Sequence, residues 1–251
     1  MRADPDKVVI ITGGSRGIGR AAALKAAAAG FKVVVGYASN EAAASEVVTA
    51  IEATNGKAMA VKCDVGVEDD ILALFKAADA FGPLGALVNN AGIVGPSIRV
   101  EDMTAERITR MLAVNVTGSF LCAREAVKRM STKHGGQGGV IVNLSSVAAK
   151  LGSANTYVDY AASKGAIDTF TIGLSQEVAA EGIRVVGIRP GLIDTEIHAS
   201  GGEPDRAHRL AHNVPMQRVG TADEIANAIV WLLSDEASYV TSSILDVSGG
   251  R

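Results

Sequence analysis

Tyr160 and Lys164 stand four residues apart in the segment Tyr-Ala-Ala-Ser-Lys, and this pair could carry out proton transfer. On a helix, residues at i and i+4 lie on the same face. The spacing puts an ammonium beside a phenol, which favours the phenolate and lowers a pKa that is normally about 10. A tyrosine with a pKa nearer neutrality can pass a proton to or from a substrate oxygen. Alone, such a pair more often marks a surface contact, so its meaning depends on the rest of the chain.

A glycine-rich turn near the N-terminus forms a second candidate site. The β-branched run over residues 8–11 predicts a buried parallel strand, and the alanine-rich segment that ends at Ala29 predicts a helix. Gly13, Gly17 and Gly19 fall in the turn between them. Glycines at this place let backbone N–H groups and the positive end of the helix approach a pyrophosphate. With a strand before it and a helix after it, the turn is expected to bind a dinucleotide.

Apolar runs alternate with helical patterns along the chain. Strands are predicted near residues 8–11, 32–36, 58–62, 85–89, 139–144, 183–189 and 243–247, and helices near 17–29, 40–54, 68–80, 104–132, 156–181 and 221–234. This alternation predicts an α/β protein with a single domain over 1–251: a doubly wound parallel sheet of about seven strands, the Rossmann fold. Its ligand crevice would lie beyond the carboxyl ends of the strands, where polar or glycine residues follow five of the strands.

Composition and charge argue against several classes of protein. The 251 residues carry a net charge of -3, which offers no basic stripe for nucleic acid. No apolar run approaches the roughly 18 residues that a membrane span needs, and the first six residues lack the apolar core of a signal peptide. Cys63 and Cys122 are not spaced as metal ligands, so no metal site is expected. These features predict a cytoplasmic protein that does not act at a membrane.

The chain resembles the short-chain dehydrogenase/reductases of the classical kind over nearly its whole length. The matching motifs, in chain order, are Thr12-Gly13-Gly14-Ser15-Arg16-Gly17-Ile18-Gly19, Cys63-Asp64-Val65, Asn89-Asn90-Ala91-Gly92, Asn115, Ser146, Tyr160 with Lys164, and Arg189-Pro190-Gly191. Residues 157–160 and 197–204 further resemble a bacterial subgroup of such oxidoreductases that are similar to glucose 1-dehydrogenase. The resemblance implies an enzyme that acts on CH–OH donors and transfers hydride between a nicotinamide and a small ketone, an aldehyde or a sugar-like alcohol. It also implies a homotetramer.

The resemblance implies a role for each site residue. Tyr160 would be the general acid for reduction and the base for oxidation, and Lys164 would lower its pKa and bind the nicotinamide ribose. Ser146 would polarise the substrate carbonyl, and Asn115 would hold a water in a proton relay behind Lys164. The residues expected to bind the cofactor are Gly13, Ser15, Arg16, Gly17, Ile18, Gly19, Ser39, Asn40, Asp64, Val65, Asn90, Ala91, Gly92, Tyr160, Lys164, Pro190, Gly191, Ile193 and Thr195.

Two other hydroxyl residues, Ser145 and Tyr157, lie close in sequence to Ser146 and Tyr160 and must be distinguished from them. Ser145 directly precedes Ser146, and neighbours on a strand point to opposite faces, so only one of them should reach the crevice. The family's usual serine-to-tyrosine interval favours Ser146. Tyr157 cannot replace Tyr160, because Ala161 stands where its lysine would have to be.

The expected cofactor is NADP(H). A dinucleotide fold that selects NAD usually ends its second strand with an acidic residue, which hydrogen-bonds the ribose 2′-hydroxyl. Here no acid follows that strand until Glu41. Arg16 is the expected positive partner of a 2′-phosphate, and Ser39 and Asn40 could donate hydrogen bonds to it.

Residues 192–220 break the alternation of strands and helices. Their position just after Pro190-Gly191 predicts a mobile lid over the substrate, and a solvated excursion is the alternative. The histidines of this segment, His198, His208 and His212, are expected on the surface, since no other ligands are suitably spaced.

Two other functions stay open from the sequence. One is reduction of a 3-oxoacyl chain on an acidic carrier protein, for which Lys128, Arg129 and Lys133 could form a basic docking patch. Against it, Glu181 stands where such reductases often have arginine. The other is a non-enzymatic nucleotide redox sensor, and the presence of the tyrosine–lysine pair counts against it.

Overall fold

The computed structural model describes residues 6–197, 201–203 and 205–251. The strands are β1 (Val8–Ile11), β2 (Lys32–Tyr37), β3 (Ala58–Lys62), β4 (Leu84–Asn89), β5 (Gly139–Leu144), β6 (Ile183–Pro190) and β7 (Ile244–Val247). The helices are α1 (Gly17–Ala28), α2 (Glu41–Glu52), α3 (Glu68–Phe81), α4 (Ala105–Leu112), α5 (Gly118–Met130), α6 (Ala148–Leu151), α7 (Val158–Val178), α8 (Arg206–Arg209) and α9 (Ala222–Leu233).

All seven strands form one parallel sheet in the order β3-β2-β1-β4-β5-β6-β7. The order reverses at β1, which pairs with β2 on one side and with β4 on the other. A parallel sheet wound in both directions from such a point leaves a crevice at the carboxyl ends of its central strands. The predicted doubly wound Rossmann fold is confirmed.

Two apolar layers cover the two faces of the sheet. Along β1, Val9 and Ile11 pack against one layer, and Val8 and Ile10 pack against the other. The first layer contains α1, α2 and α9, and the second contains α3, α5 and the end of α7. Each fully buried Val or Ile contributes about 1.5–3 kcal/mol of transfer free energy. The continuous apolar strands and the amphipathic helices therefore specify a three-layer molecule. In the described part of the chain, no helix has the length and apolarity to cross a membrane.

The long helix predicted over 104–132 is interrupted. A π-helical turn, Ala113–Thr117, separates α4 from α5. Two tertiary contacts explain the interruption. The side chain of Asn115 bonds the backbone of Ile93, and Gly118 packs so closely that a Cβ there would lie 2.5 Å from the Val65 carbonyl. π-Turns inside α-helices are rare and are frequent at functional sites.

Candidate active site

The turn between β1 and α1 is tied to the end of β4. Asn90 Nδ2 donates to the carbonyls of Thr12 and Gly13, at 2.9 and 3.0 Å. Gly13 and Gly17 have φ of +62° and +51°, a region that favours glycine. A Cβ on Gly19 would lie 2.2 Å from the Gly13 carbonyl oxygen. Three of the motif's glycines are therefore required by the backbone itself.

This turn leaves the first turn of α1 facing the crevice. Arg16 is the N-cap residue of α1, and its side chain makes no capping hydrogen bond. Thr195 lies over the helix end, since a Cβ on Gly17 would be 3.3 Å from Thr195 Cγ2. Backbone N–H groups at a helix N-terminus, without a side-chain cap, suit a phosphate. The residues present thus fit the pyrophosphate of a dinucleotide.

One cavity runs along the carboxyl ends of the strands from this turn to Tyr160. Every residue predicted above to bind the cofactor lines the cavity, and so does Ser146. Asn115 does not line it. In the parts of the chain that the structure describes, no group of three or more His, Cys, Asp or Glu side chains is placed to hold a metal ion.

Tyr160 and Lys164 lie in the first two turns of α7, as their spacing predicts. The Lys164 side chain is buried, with the residue only 4 % exposed. Its Nζ donates to the Leu144 carbonyl at 2.7 Å and lies 5.7 Å from the centroid of the Tyr160 ring. Burial lowers the pKa of Lys164 to about 8, and the negative charge of Asp168 opposes this shift.

The expectation that Lys164 lowers the pKa of Tyr160 does not hold in this structure. Burial raises the pKa of the Tyr160 phenol above its ordinary value, and a hydrogen bond with Ser146 lowers it by a smaller amount. The physical reason is that desolvation disfavours the phenolate, and the causes of the shift in the pKa of Tyr160 are this burial and the Ser146 hydrogen bond, without a contribution from the Lys164 ammonium. Tyr160 is therefore held as a neutral phenol, which is a proton donor.

The two serines after β5 point in different directions. The Ser145 hydroxyl is buried and donates to the backbone carbonyl of Lys164 at 3.1 Å. The Ser146 hydroxyl accepts from the N–H of Ala148 at 3.1 Å and bonds Tyr160. Both serines line the cavity, so the prediction that only one of them would reach it is wrong, because they follow the end of β5 instead of lying within the strand. Ser146 is the one whose hydroxyl bonds the phenol.

Asn115 holds a neighbouring segment in place. Its Oδ1 accepts from the N–H of Ile93 at 2.8 Å, and its Nδ2 donates to the Ile93 carbonyl at 3.0 Å and to Ser163 Oγ at 3.1 Å. The amide group is thus engaged within the protein. The chain it holds is adjacent to the lysine, since a Cβ on Gly92 would be 3.5 Å from Lys164 Nζ.

The part of the cavity that follows β3 carries charges of both signs. Asp64 pairs with Arg110 at 2.7 Å and accepts from the N–H of Gly66 at 2.9 Å. Partial burial raises the pKa of Asp64, but the Arg110 and Gly66 hydrogen bonds outweigh it and the pKa is lowered overall. Arg110, which was not predicted, also lines the cavity. It lies 46 residues from Asp64 in the sequence, so no spacing rule could have found it.

The end of β2 has no acidic residue in the cavity wall. Arg16, Ser39 and Asn40 all line the cavity, and all three are exposed. Asn40 Oδ1 accepts from the N–H of Ala43 at 3.0 Å and so caps α2. This leaves the Nδ2 of Asn40 as the group that can donate to a ligand.

Several described residues of the 192–220 segment line the cavity. Its base is held by a bridge between Ile193 and Gly220, with Gly220 N donating to the Leu192 carbonyl at 2.9 Å. Farther along, Glu203 accepts from the Tyr157 hydroxyl at 2.8 Å. His208 and His212 are exposed, as expected, and His198 lies outside the described residues.

Comparison with known proteins agrees with this geometry. A family model described as enoyl-(acyl carrier protein) reductase matches residues 13–251. The "Uncharacterized oxidoreductase YgfF" of Escherichia coli (strain K12) is 60% identical over 245 residues, which cover 97% of this chain and 99% of that protein. The "Glucose 1-dehydrogenase 2" of Bacillus subtilis (strain 168) is 39% identical, with 97% and 94% covered. A 3-oxoacyl-(acyl-carrier-protein) reductase of Synechocystis sp. is 36% identical, with 100% and 98% covered.

A solved structure is similar over the same length. The crystal structure of a short chain dehydrogenase from Burkholderia cenocepacia J2315 in complex with NADP gives a TM-score of 0.89 at 31% identity, covering 98% of this chain and 97% of that one. The chain belongs to the short-chain dehydrogenase/reductase family. Within that family it is an oxidoreductase similar to YgfF and to glucose 1-dehydrogenase.

Proposed function

We propose that this protein is an NADP(H)-dependent oxidoreductase that interconverts a carbonyl group and a secondary alcohol in a small ketone, an aldehyde or a sugar-like alcohol. The observation that carries the proposal is the convergence of Ser146, Tyr160 and Lys164 on one cavity with the glycine turn of α1. That convergence supports the proposal, because hydride transfer needs a proton donor and a dinucleotide held in the same cavity.

Each side chain has a role that its surroundings support. When bound, the nicotinamide supplies or accepts the hydride. Tyr160, kept neutral by burial, donates a proton to the substrate oxygen in the reducing direction. Ser146 donates a hydrogen bond to the same oxygen. Lys164, with a pKa of about 8, is mostly charged at neutral pH and binds the cofactor ribose. Asn115 positions this region through Ile93.

Selection of NADP(H) rests on the end of β2. Arg16, Ser39 and Asn40 line the cavity there, and no carboxylate among them would repel a 2′-phosphate. The related dehydrogenase solved in complex with NADP adds support.

An assay of NADPH oxidation with a panel of carbonyl compounds tests the function, and the reverse reaction is followed with alcohols and NADP⁺. Tyr160→Phe removes the proton donor and keeps the ring, so turnover is expected to fall by roughly 100- to 10,000-fold while NADPH still binds. Tyr239→Phe, at a fully exposed tyrosine, is the control and keeps full turnover. Near-normal turnover in the Tyr160→Phe protein would remove this tyrosine from the mechanism.

Reduction of a carrier-bound 3-oxoacyl chain ranks second. The relative from Synechocystis favours it, but the expected basic patch does not lie at the cavity. Arg129 pairs with Asp79 and Glu125, and Lys128 pairs with Glu125. Gly138, just before β5, bonds the carbonyl of Met130, which puts this end of α5 at the opposite edge of the sheet. A non-enzymatic sensor ranks last, because the tyrosine–lysine pair is intact.

We also propose that the protein is a cytoplasmic homotetramer. Cys63 and Cys122 are buried and unpaired, which suits a reducing compartment. Phe120 on α5 stacks on Phe170 of α7 with ring centroids 3.7 Å apart, yet Phe120 stays 45 % exposed. Ile172 is 42 % exposed on α7. Neighbouring exposed apolar side chains on two helices are typical of an interface.

We place the lid over the substrate end of the cavity. The described part of residues 192–220 carries both Thr195 over Gly17 and Glu203 bonded to Tyr157. A segment with contacts at both ends of the site can close it to water once both ligands are bound.

A further inference from the structure

Two arginines line the cavity on the side of the lid and the C-terminal residues. They are Arg206, at the start of α8, and Arg251. Arg206 Cζ lies 4.8 Å from the centroid of the Tyr157 ring, and Tyr157 lies one helical turn before Tyr160 and lines the same cavity. The positive charge is therefore close to the place where the substrate must sit to reach Tyr160.

The nearby carboxylate of Glu203 offsets this charge only in part. Its oxygens accept from Ser97 Oγ at 2.7 Å, from the Tyr157 hydroxyl at 2.8 Å and closely from Arg209. These hydrogen bonds, those from Ser97 and Tyr157 first, lower the pKa of Glu203 to about 2, so it stays ionised. Arg206 approaches it only at 3.4 Å. The Glu203 carboxylate is thus shared between Arg206 and Arg209, and its contacts with Ser97, Tyr157 and Arg209 are shorter than its contact with Arg206.

The positive charge of Arg251 is offset even less than that of Arg206. In the described chain, no carboxylate oxygen lies within 4.0 Å of its guanidinium. Burial and the charge of Arg206 both lower its pKa, so the cation is desolvated and repelled where it lies. Its backbone carbonyl accepts from Ser248 Oγ at 3.0 Å, which holds the residue at the cavity. A partly buried cation without a partner costs free energy, and an anion would offset that cost.

We propose that Arg206 and Arg251 bind an anionic group of the substrate, a carboxylate or a phosphate monoester, at the end remote from the reacting carbonyl. This inference rests on the proposed function and narrows its substrate class. Guanidinium groups form bidentate, charge-assisted hydrogen bonds with both kinds of anion. The Glu203 carboxylate is paired with both Arg206 and Arg209, so an anion of the substrate would give Arg206 and Arg251 a further partner.

The test compares matched anionic and neutral carbonyl compounds. The carboxylate arm uses 4-oxopentanoate and 5-oxohexanoate against their methyl esters, and the phosphate arm uses dihydroxyacetone phosphate against dihydroxyacetone. We expect kcat/KM with NADPH to favour the anion of at least one arm by about 10- to 100-fold. Arg206→Gln and Arg251→Gln should each remove most of that preference and change kcat/KM for the neutral partners by less than about threefold.

Arg209→Gln is the matched control. It removes the same charge from the same helix, but Arg209 does not line the cavity, so the preference for the anion should persist. A second readout does not depend on turnover: with NADP⁺ bound, the anionic compound should raise the melting temperature of the native protein more than the ester does, and Arg251→Gln should cancel the difference.

The outcomes separate the two proposals. Tyr160-dependent turnover with equal kcat/KM for the anionic and the neutral compound, in both arms, overturns the anion site and leaves the proposed function standing. Absence of any Tyr160-dependent turnover overturns the proposed function, and the melting experiment then decides the anion site alone. Equal loss of anion preference in the Arg209→Gln control would also overturn the assignment to Arg206 and Arg251.

Discussion

Arg107 and Asp159 form a bidentate ion pair directly beneath the start of the helix that carries Tyr160. Arg107 Nε lies 2.8 Å from Asp159 Oδ2, and its NH2 group lies 3.3 Å from Oδ1. Asp159 Oδ1 also accepts from the N–H of Tyr160 at 2.9 Å. Arg107 NH1 donates to the Pro96 carbonyl at 2.7 Å. The pair therefore joins α4, the segment after β4 and the first turn of α7, and it positions Tyr160.

Breaking this pair from one side should cost much stability. The Asp159 side chain is only 4 % exposed, so Arg107→Met leaves a buried carboxylate without its partner, at a cost of about 3–5 kcal/mol. Urea denaturation of the two proteins measures the difference. Arg107→Met with Asp159→Leu is the matched control and should be less destabilised than Arg107→Met alone, because no unpaired charge remains. A loss below about 1 kcal/mol in the single variant would contradict the role given to the pair.

Lys164 should lower the free energy of unfolding of the protein, although cofactor binding and turnover need it. Its pKa in the folded chain is lowered from 10.5 to about 8 by burial. Lys164→Met removes this desolvated charge and loses the hydrogen bond to Leu144, so we expect a net gain of about 1–2 kcal/mol at pH 7. Cofactor binding and turnover should fall at the same time. A less stable variant at pH 7 would contradict the expectation.

The stability gained by Lys164→Met should become smaller as the pH rises. Between about pH 8 and pH 10.5 the unfolded lysine binds a proton that the folded one does not. Stability of the original protein therefore rises with pH across this window. The difference from Lys164→Met should be full below about pH 8 and should shrink above it, as measured by urea denaturation at pH 7, 8 and 9.

Arg16 should set the preference for NADPH. A charge-assisted hydrogen bond contributes about 1.5–3 kcal/mol, so NADPH should bind at least about tenfold more tightly than NADH. Arg16→Ala should remove most of that difference in dissociation constants measured by titration. Arg20→Ala is the control, since Arg20 is exposed on the same helix and does not line the cavity. Equal dissociation constants for both cofactors in the unmodified protein would refute NADP(H) selection.

The two serines after β5 should respond differently to alanine. Ser146→Ala removes the hydroxyl beside Tyr160, so kcat should fall by roughly 100-fold with little change in melting temperature. Ser145→Ala removes a buried hydrogen bond to the Lys164 carbonyl, so unfolding should become easier by about 1 kcal/mol while turnover stays within a few fold. The reverse pattern would exchange the roles of the two residues.

The assembly can be tested by light scattering at micromolar concentration. We expect the mass of a tetramer, and Phe120→Glu should reduce it by placing a charge on the exposed apolar face of α5 and α7. Leu72→Glu is the control, because Leu72 is exposed to a similar degree, 42 %, on α3. A monomeric mass for the unmodified protein would overturn the proposed tetramer.

The sequence by itself determined the sheet and the location of the site. Seven apolar runs alternating with helical patterns specify parallel strands, and the carboxyl ends of such strands meet at one edge whatever their side chains are. For that reason the sequence alone assigns Gly13, Asp64, Asn90, Ser146 and Gly191 to one edge of the sheet, and all five line the same cavity. Helical spacing likewise placed Lys164 beneath Tyr160. These are consequences of local periodicity.

Only the tertiary structure decided the pKa values of the site residues and which side chains line the proposed substrate end of the cavity. The pKa of Tyr160 depends on how deeply the phenol is desolvated, and Lys164 turned to the Leu144 carbonyl 20 residues away. The side chain of Asn115 accepts a hydrogen bond from the N–H of Ile93, a contact that no helix pattern in the sequence reveals. Arg206 and Arg251 line one cavity from segments that share no motif. Burial and charge interactions depend on distances between parts of the chain that are remote in sequence, and these distances exist only in the folded protein.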